Sequence, residues 1–204
     1  MTAIFQNTSH ALHVSFLVMA HEPRQATSLC RALLQMMEAL EHPTRMQLDW
    51  MARLRGDGKA GSVDFGGLTS DEIRAQCAMI TQTVRDHLTV PERAVILCRY
   101  AQQLEKAQGV SDLANYVRPM LSFSDDISIK ALIYGHLQPH QRKKGLSYQE
   151  ISTERGIALK TLRNGAALIA RTASQLESMA IDRLSPMFLR DGVIHTREEG
   201  AVAA

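Results

Sequence analysis

Residues 146–164 read LSYQEISTERGIALKTLRN, and this stretch decides the fold of the C-terminal third of the chain. Ser147 and Glu150 have the spacing of a capping box, in which the two side chains bond to free N–H groups at the start of a helix. Gly156 ends that short helix, because glycine readily adopts the left-handed backbone of a C-terminal cap. A second helix then begins near Ala158 or Leu159. Two helices joined by a glycine-containing turn of this length predict a helix-turn-helix.

The apolar and polar residues of this stretch separate into an inward and an outward set. We expect four apolar side chains to hold the two helices together: Leu146, Ile151, Ile157 and Leu162. We expect four polar side chains of the second helix to point outward: Lys160, Thr161, Arg163 and Asn164. Lysine and arginine reach phosphates or guanine edges, asparagine pairs with adenine, and threonine contacts a thymine methyl group. We therefore predict that helix 158–169 reads the major groove of double-stranded DNA.

Positive charge is concentrated around the same stretch. The whole chain has a net charge of +2, which is too small to indicate nucleic-acid binding by itself. Between Pro139 and Arg171 there are seven basic and two acidic residues, a net charge of +5. We expect the basic run before the first helix, together with the Ser147 end of that helix, to contact phosphates, although such a run is also typical of a solvated loop. The run consists of Arg142, Lys143 and Lys144.

The stretch resembles the helix-turn-helix of bacterial sigma factor region 4 and of its LuxR-type relatives, where an "LSYEEIA" helix precedes a "GIS-xx-TVRN" recognition helix. The resemblance implies that Lys160, Thr161, Arg163 and Asn164 face DNA. Three residues depart from the family pattern. Arg155 replaces an apolar residue, Ser152 a common alanine, and Ala158 the usual serine before the recognition helix.

A second segment, LTVPERAVIL at residues 88–97, resembles the "LPERERAVL" helix that opens region 4. In sigma factors that helix lies close to the helix-turn-helix, whereas some fifty residues intervene here. Either an insertion splits the region, or the helix carrying Ile127 to Leu137 supports the helix-turn-helix and the match is chance. We favour the second interpretation.

The composition predicts a mostly α-helical bundle with a C-terminal helix-turn-helix, because aromatic residues are only 5% of the chain while Ala and Met are plentiful. Thr69 and Glu72 form a second capping-box pattern, and Pro91 fits the first turn of the next helix, which we expect Gly109 to end. A shorter helix is expected from Ser111 towards Leu121, and Ser124 to Asp126 cap another. The segment from His13 to Ala20 is compatible with a strand or a helix.

We divide the chain into an N-terminal helical region of unknown role (1–123), a DNA-binding region (124–195) and a flexible tail (196–204). Helical segments ahead of a region-4-like module also resemble small phage and prophage regulators, including late-gene antiterminators that dock on RNA polymerase. We therefore predict a phage- or prophage-encoded, sequence-specific transcription regulator. The alternative is a protein-interaction module that docks on RNA polymerase.

An apolar seam extends beyond the predicted recognition helix, with residues three and four apart. Its members are Leu162, Ala166, Ile169, Ala173, Leu176 and Ala180. Such a seam is typical of a long core helix packed within the chain. It also suits a homodimer that pairs two DNA-reading units on a palindromic site.

The sequence gives little support to other classes of protein. Cys30, Cys77 and Cys98 are far apart and form no CxxC pair, so we expect buried thiols and no metal site. The eight histidines have no ligand spacing, and the glycine-rich segment around Lys59 lacks the spacing of a phosphate-binding loop. We expect no cofactor and no enzymatic activity, with an enzyme as a third hypothesis. Because no signal peptide or membrane-spanning run is evident, we expect a cytoplasmic protein.

Overall fold

The computed structural model describes residues 4–20, 69–137 and 147–194, and the prediction of a mostly α-helical fold is confirmed. These ranges contain seven α-helices and no strand apart from one isolated parallel bridge between Phe5 and Ile194. A short 3₁₀ helix, Arg118–Met120, lies between the fourth and fifth helices. The helices are α1 Thr8–Ala20, α2 Ser70–His87, α3 Val90–Tyr100, α4 Gln103–Val117, α5 Asp126–Leu137, α6 Tyr148–Arg155 and α7 Leu159–Arg190.

The helix starts predicted at Thr69, at Pro91 and at Ser124 to Asp126 agree with the structure. Glu72 accepts the Thr69 N–H at 2.8 Å and donates its own N–H to the Thr69 hydroxyl at 3.3 Å, so the capping box before α2 is confirmed. Pro91 lies in the first turn of α3, as expected. At the start of α5 it is Asp125 that accepts the Ser128 N–H, at 2.9 Å. The segment from His13 to Ala20, for which strand and helix were both open, belongs to α1.

Two hydrophobic cores hold the helices together, and α3 and α7 contribute to both. The N-terminal core joins α1, α2, one side of α3 and the C-terminal half of α7; its largest buried side chains include Leu12, Phe16, Ile96, Leu184 and Phe188. The C-terminal core joins the other side of α3 to α4, α5, α6 and the first half of α7; its buried members include Val95, Leu113, Ile133, Leu162 and Ile169. Since α4 and α5 both belong to the C-terminal core, the boundary drawn between residues 123 and 124 divides helices that pack together.

The prediction that Gly109 ends the third helix is wrong. α3 ends at Tyr100, a new helix begins at Gln103, and Gly109 lies buried within it. A Cβ atom at this position would lie 2.8 Å from the Ala94 carbonyl oxygen and 2.8 Å from the Leu97 Cβ. Gly109 therefore allows α4 to approach the backbone of α3, and close packing rather than chain termination explains the glycine. The helix expected to start at Ser111 accordingly starts eight residues earlier.

Several sequence predictions lie outside the described residues. They are the buried environment of Cys30, the glycine-rich segment around Lys59 and the flexible tail at 196–204.

Gly109→Ala should lower the free energy of unfolding by about 1–3 kcal/mol, because the added methyl group collides with backbone atoms of α3. This loss should outweigh the gain of up to about 1 kcal/mol that alanine brings to a helix interior. Urea denaturation measures the change. Ala107→Gly, at an exposed position of the same helix, isolates the helix-propensity contribution. A more stable Gly109→Ala variant would show that α3 and α4 are not in close contact.

A buried carboxylate ties α3 to α7. Glu92 is 1% exposed and accepts the Thr89 N–H at 2.9 Å and the Thr89 hydroxyl at 2.8 Å. Its other oxygen lies 3.2 Å from the Arg183 guanidinium. Burial alone raises the pKa of Glu92, but the Thr89 hydrogen bonds and the Arg183 charge together outweigh burial, so the net pKa lies below its usual value. The folded protein therefore favours the ionised carboxylate.

Glu92→Gln should destabilise the protein most at neutral pH, by about 1–3 kcal/mol. Because the folded-state pKa is lowered, the stabilisation by the carboxylate is present above the unfolded pKa and is lost as pH falls through the folded one. The difference between parent and variant should therefore shrink below about pH 4.5. Denaturation between pH 3 and 8 measures it. Asp182→Asn removes an exposed carboxylate from α7 as a control, and a Glu92→Gln difference that stays constant with pH would contradict the prediction.

Candidate nucleic-acid interface

The α6–turn–α7 unit has the local geometry that the sequence predicts. Ser147 accepts the Glu150 N–H at 3.2 Å, and Glu150 accepts the Ser147 N–H at 3.1 Å, so the capping box is confirmed. Gly156 has the left-handed backbone with φ of 65° and donates its N–H to the Ser152 carbonyl at 2.9 Å. The next helix begins at Leu159, with Ala158 as its N-cap residue. Three residues thus separate the two helices.

The inward residues of the unit join it to the C-terminal core. Ile151 and Leu162 are buried, and Ile157 is half-buried and packs against the same core. Ser152 is also half-buried. Leu146 lies outside the described residues. The apolar contacts predicted for Ile151, Ile157 and Leu162 are therefore confirmed.

Three of the four predicted outward residues form one exposed surface on α7. Lys160, Arg163 and Asn164 are exposed, and we call this set the α7 basic face. Thr161 is half-buried, which corrects its assignment as an outward residue. At about 100° of rotation per residue, Thr161 lies on the flank between the exposed side of the helix and its buried seam.

The predicted recognition helix is much longer than residues 158–169. α7 continues for 32 residues to Arg190, so the α7 basic face is part of a helix that crosses both cores. The apolar seam is buried by the chain itself: Leu162, Ile169, Ala173, Leu176 and Ala180 are each at most 6% exposed. The core interpretation of the seam is therefore correct, and the seam offers no open surface for pairing two copies.

Electrostatics around the α7 basic face favour a free positive surface. Lys160 and Arg163 form no ion pair with any residue in the described ranges. The first acidic residue of α7 is Glu177, whose carboxylate lies 3.1 Å from the Arg99 guanidinium. The turns of α7 that carry the face therefore contain no carboxylate to neutralise it.

Two acidic residues near the unit, Asp125 and Asp126, are engaged with neighbouring groups. The Ser128 hydrogen bonds and then the Arg155 charge lower the pKa of Asp125, so this carboxylate stays ionised and faces a cation. Asp126 forms ion pairs with Arg118 and Lys130. Arg155, which departs from the region 4 pattern, is exposed and does not enter the core.

Two helices support the unit from behind. α3 and α5 both contact α7, and Val95 of α3 and Ile129 of α5 belong to the same core as Leu162. The helix carrying Ile127 to Leu137 therefore does pack against α7, although Ile127 itself is 55% exposed. α3, whose sequence resembles the helix that opens region 4, also packs against α7.

A glycine contact behind the α7 basic face was not predicted. A Cβ atom at Gly165 would lie 2.7 Å from Cε1 of Phe123 and 3.3 Å from Cδ2 of Leu121. Gly165 therefore makes room for the connection between the 3₁₀ helix and α5. The sequence signal was a glycine inside a strong helical pattern, where the missing side chain can admit a neighbouring segment.

The basic run, the cysteines and the candidate metal ligands were also considered in the sequence. Arg142, Lys143 and Lys144 lie outside the described residues. Cys77 and Cys98 are buried thiols, and burial raises the pKa of Cys98 to about 12. Among residues 4–20, 69–137 and 147–194, no group of three or more His, Cys, Asp or Glu side chains could hold a metal ion. None of the described helices combines the length and apolar character needed to cross a membrane.

Comparison with known proteins leaves the class of protein open, since no family model matches the chain and a search of curated proteins found no match. The resemblance to sigma factor region 4 and LuxR-type helix-turn-helix units stays a prediction.

Gly165→Ala should destabilise the protein by about 1–3 kcal/mol through the collision with Phe123. Phe123→Ala removes the colliding ring, so adding Gly165→Ala in that background should cost less than it does in the parent. A double-mutant cycle from urea denaturation measures this coupling. Additive effects of the two substitutions would contradict direct contact between Gly165 and Phe123.

Proposed function

We propose that the protein is a sequence-specific DNA-binding transcription regulator that inserts the N-terminal part of α7 into the major groove. The observation that carries the proposal is the α7 basic face: Lys160, Arg163 and Asn164 are exposed together just after a left-handed glycine turn. The opposite side of the same helix is buried in the C-terminal core. The three side chains thus project from a fixed support. Origin in a phage or prophage is part of the prediction.

The chemistry of the face suits base reading as well as phosphate binding. Arginine forms two parallel hydrogen bonds with guanine, and asparagine does the same with adenine. Arg163 and Asn164 point about 100° apart around the helix axis, so they would address different base edges. Lys160, one turn earlier, supplies a charge that suits a phosphate or a guanine edge. α7 is already packed along its length before DNA binds. Binding therefore requires little further ordering of the residues that support the α7 basic face.

Selection from a pool of random duplexes tests the proposal. The full chain should enrich a defined sequence at moderate salt, and the enriched duplex should bind more tightly than random DNA in fluorescence anisotropy. Specific binding by such proteins usually exceeds non-specific binding by about 10³-fold or more. Equal affinity for the selected and random duplexes would contradict sequence-specific binding.

Asn164→Ala and Arg163→Ala should each weaken binding to the selected duplex by about 1–3 kcal/mol and leave binding to random DNA much less affected. The reason is that the loss of a base contact affects only the cognate sequence. Gln175→Ala, at an exposed position farther along α7, removes an amide of the same kind as a matched control. Competition titrations with selected and random duplexes measure both affinities. A uniform loss on both duplexes would assign these residues to phosphate contact.

A second candidate is docking on RNA polymerase, and exposed apolar side chains favour it. Leu104 is 84% exposed at the start of α4, and Met79 is 64% exposed on α2. Burial of such an apolar side chain against another protein would be favourable. Sedimentation with purified bacterial core RNA polymerase, in the absence of DNA, tests this candidate. Leu104→Ser should weaken co-sedimentation if α4 forms the contact, and the absence of any complex would exclude it.

A further inference from the structure

We propose that Arg171 binds a DNA phosphate at the edge of the groove that the α7 basic face enters; this inference rests on the proposed function. Arg171 is exposed on α7, seven residues after Asn164, and forms no ion pair with any described residue. Arg171 lies in the basic segment counted above, but the sequence pattern assigns it no contact with DNA. The length of α7, 32 residues, places Arg171 on the same continuous helix as the α7 basic face.

The helical register places Arg171 on the same stripe as the α7 basic face. At about 100° per residue, Lys160, Asn164, Ala167 and Arg171 lie within about 60° of one another around the helix axis. The buried seam lies on the opposite side, because its members Leu162, Ile169 and Ala173 are about 180° away. All four stripe residues are exposed. Arg171 and Lys160 therefore project in nearly the same direction.

The distance along the helix separates the two charges by more than the width of a groove. Eleven residues at 1.5 Å each place Arg171 about 16 Å from Lys160 along the axis. The major groove of B-DNA is about 12 Å wide. If the turn carrying Lys160 and Asn164 lies among the bases, the turn carrying Arg171 reaches the sugar-phosphate backbone that borders the groove. A guanidinium there binds phosphate, whereas it is too far along the helix to reach the same bases.

The residues between the two charges favour such a contact. Ala167 is the exposed residue of the intervening turn, and its small side chain allows the backbone of DNA to approach the helix. No carboxylate occurs on α7 before Glu177, whose side chain is only 16% exposed and is paired with Arg99. The helix contains no proline before Pro186, so its geometry is uninterrupted between Lys160 and Arg171. The stripe is therefore basic at both ends and uncharged between them.

Salt-dependent binding to a fluorescein-labelled 30-base-pair duplex of random sequence tests the inference. Each phosphate neutralised contributes about −0.9 to the slope of log K against log salt. Arg171→Gln should reduce the magnitude of the slope by about one and weaken binding about three- to tenfold at moderate salt, equally on random and selected duplexes. Arg190→Gln removes the same charge from an exposed position at the other end of α7 and should leave the slope unchanged.

Ethylation interference with the selected duplex gives a second measurement. With the parent protein, ethylation of the outermost phosphate at one groove edge should reduce binding, and with Arg171→Gln this interference should disappear while the others remain. If Arg171→Gln has the same slope and interference pattern as Arg190→Gln, the inference is wrong even though the proposed function stands. If the parent itself shows no salt-dependent binding to either duplex, the proposed function and the inference both fail.

Discussion

The buried seam of α7 is the constraint on which the rest of the structure depends. Its first half lies in the C-terminal core with α3, α4, α5 and α6, and its second half lies in the N-terminal core with α1 and α2. The side chains of the seam are buried at both ends, from Leu162 to Phe188. Because one continuous helix joins both cores, the orientation of the α7 basic face is fixed by packing contacts that extend far beyond the turn at Gly156.

Polar contacts add specificity to this apolar arrangement. The Glu92 carboxylate accepts hydrogen bonds from Thr89, the N-cap residue of α3, and from Arg183 on α7. These contacts fix the position of the start of α3 along the axis of α7. Glu177 similarly receives the Arg99 guanidinium and the Tyr100 hydroxyl. Buried or half-buried carboxylates with defined partners penalise a sliding of the helices, because a shift would leave a charge without its partner. The packing thus specifies both which faces meet and their register.

Local chemistry made much of the α6–turn–α7 unit predictable. The capping box at Ser147 and the left-handed glycine at 156 depend on residues close in the chain, and the structure has both. Periodicity also located the buried seam. The same reasoning failed at Gly109, because a glycine that ends a helix and one that admits a neighbouring helix look identical without knowledge of the partner. Thr161 failed for a related reason: its exposure depends on the width of the buried face, which neighbouring helices determine.

The pairing of Phe5 with the chain after α7 has a consequence for the order in which the protein is assembled on the ribosome. Phe5 donates its N–H to the Val193 carbonyl, and its ring belongs to the core that contains Phe188 and Ile194. All the residues that form the C-terminal core have been synthesised once Leu176 is made, whereas α1 must wait for the last turns of α7. α1 precedes the other described helices in the chain and yet reaches its final packing after the C-terminal core. Until then, α2 and α3 are the described helices available to the apolar face of α1, so the N-terminal core is completed only after α7 has been synthesised.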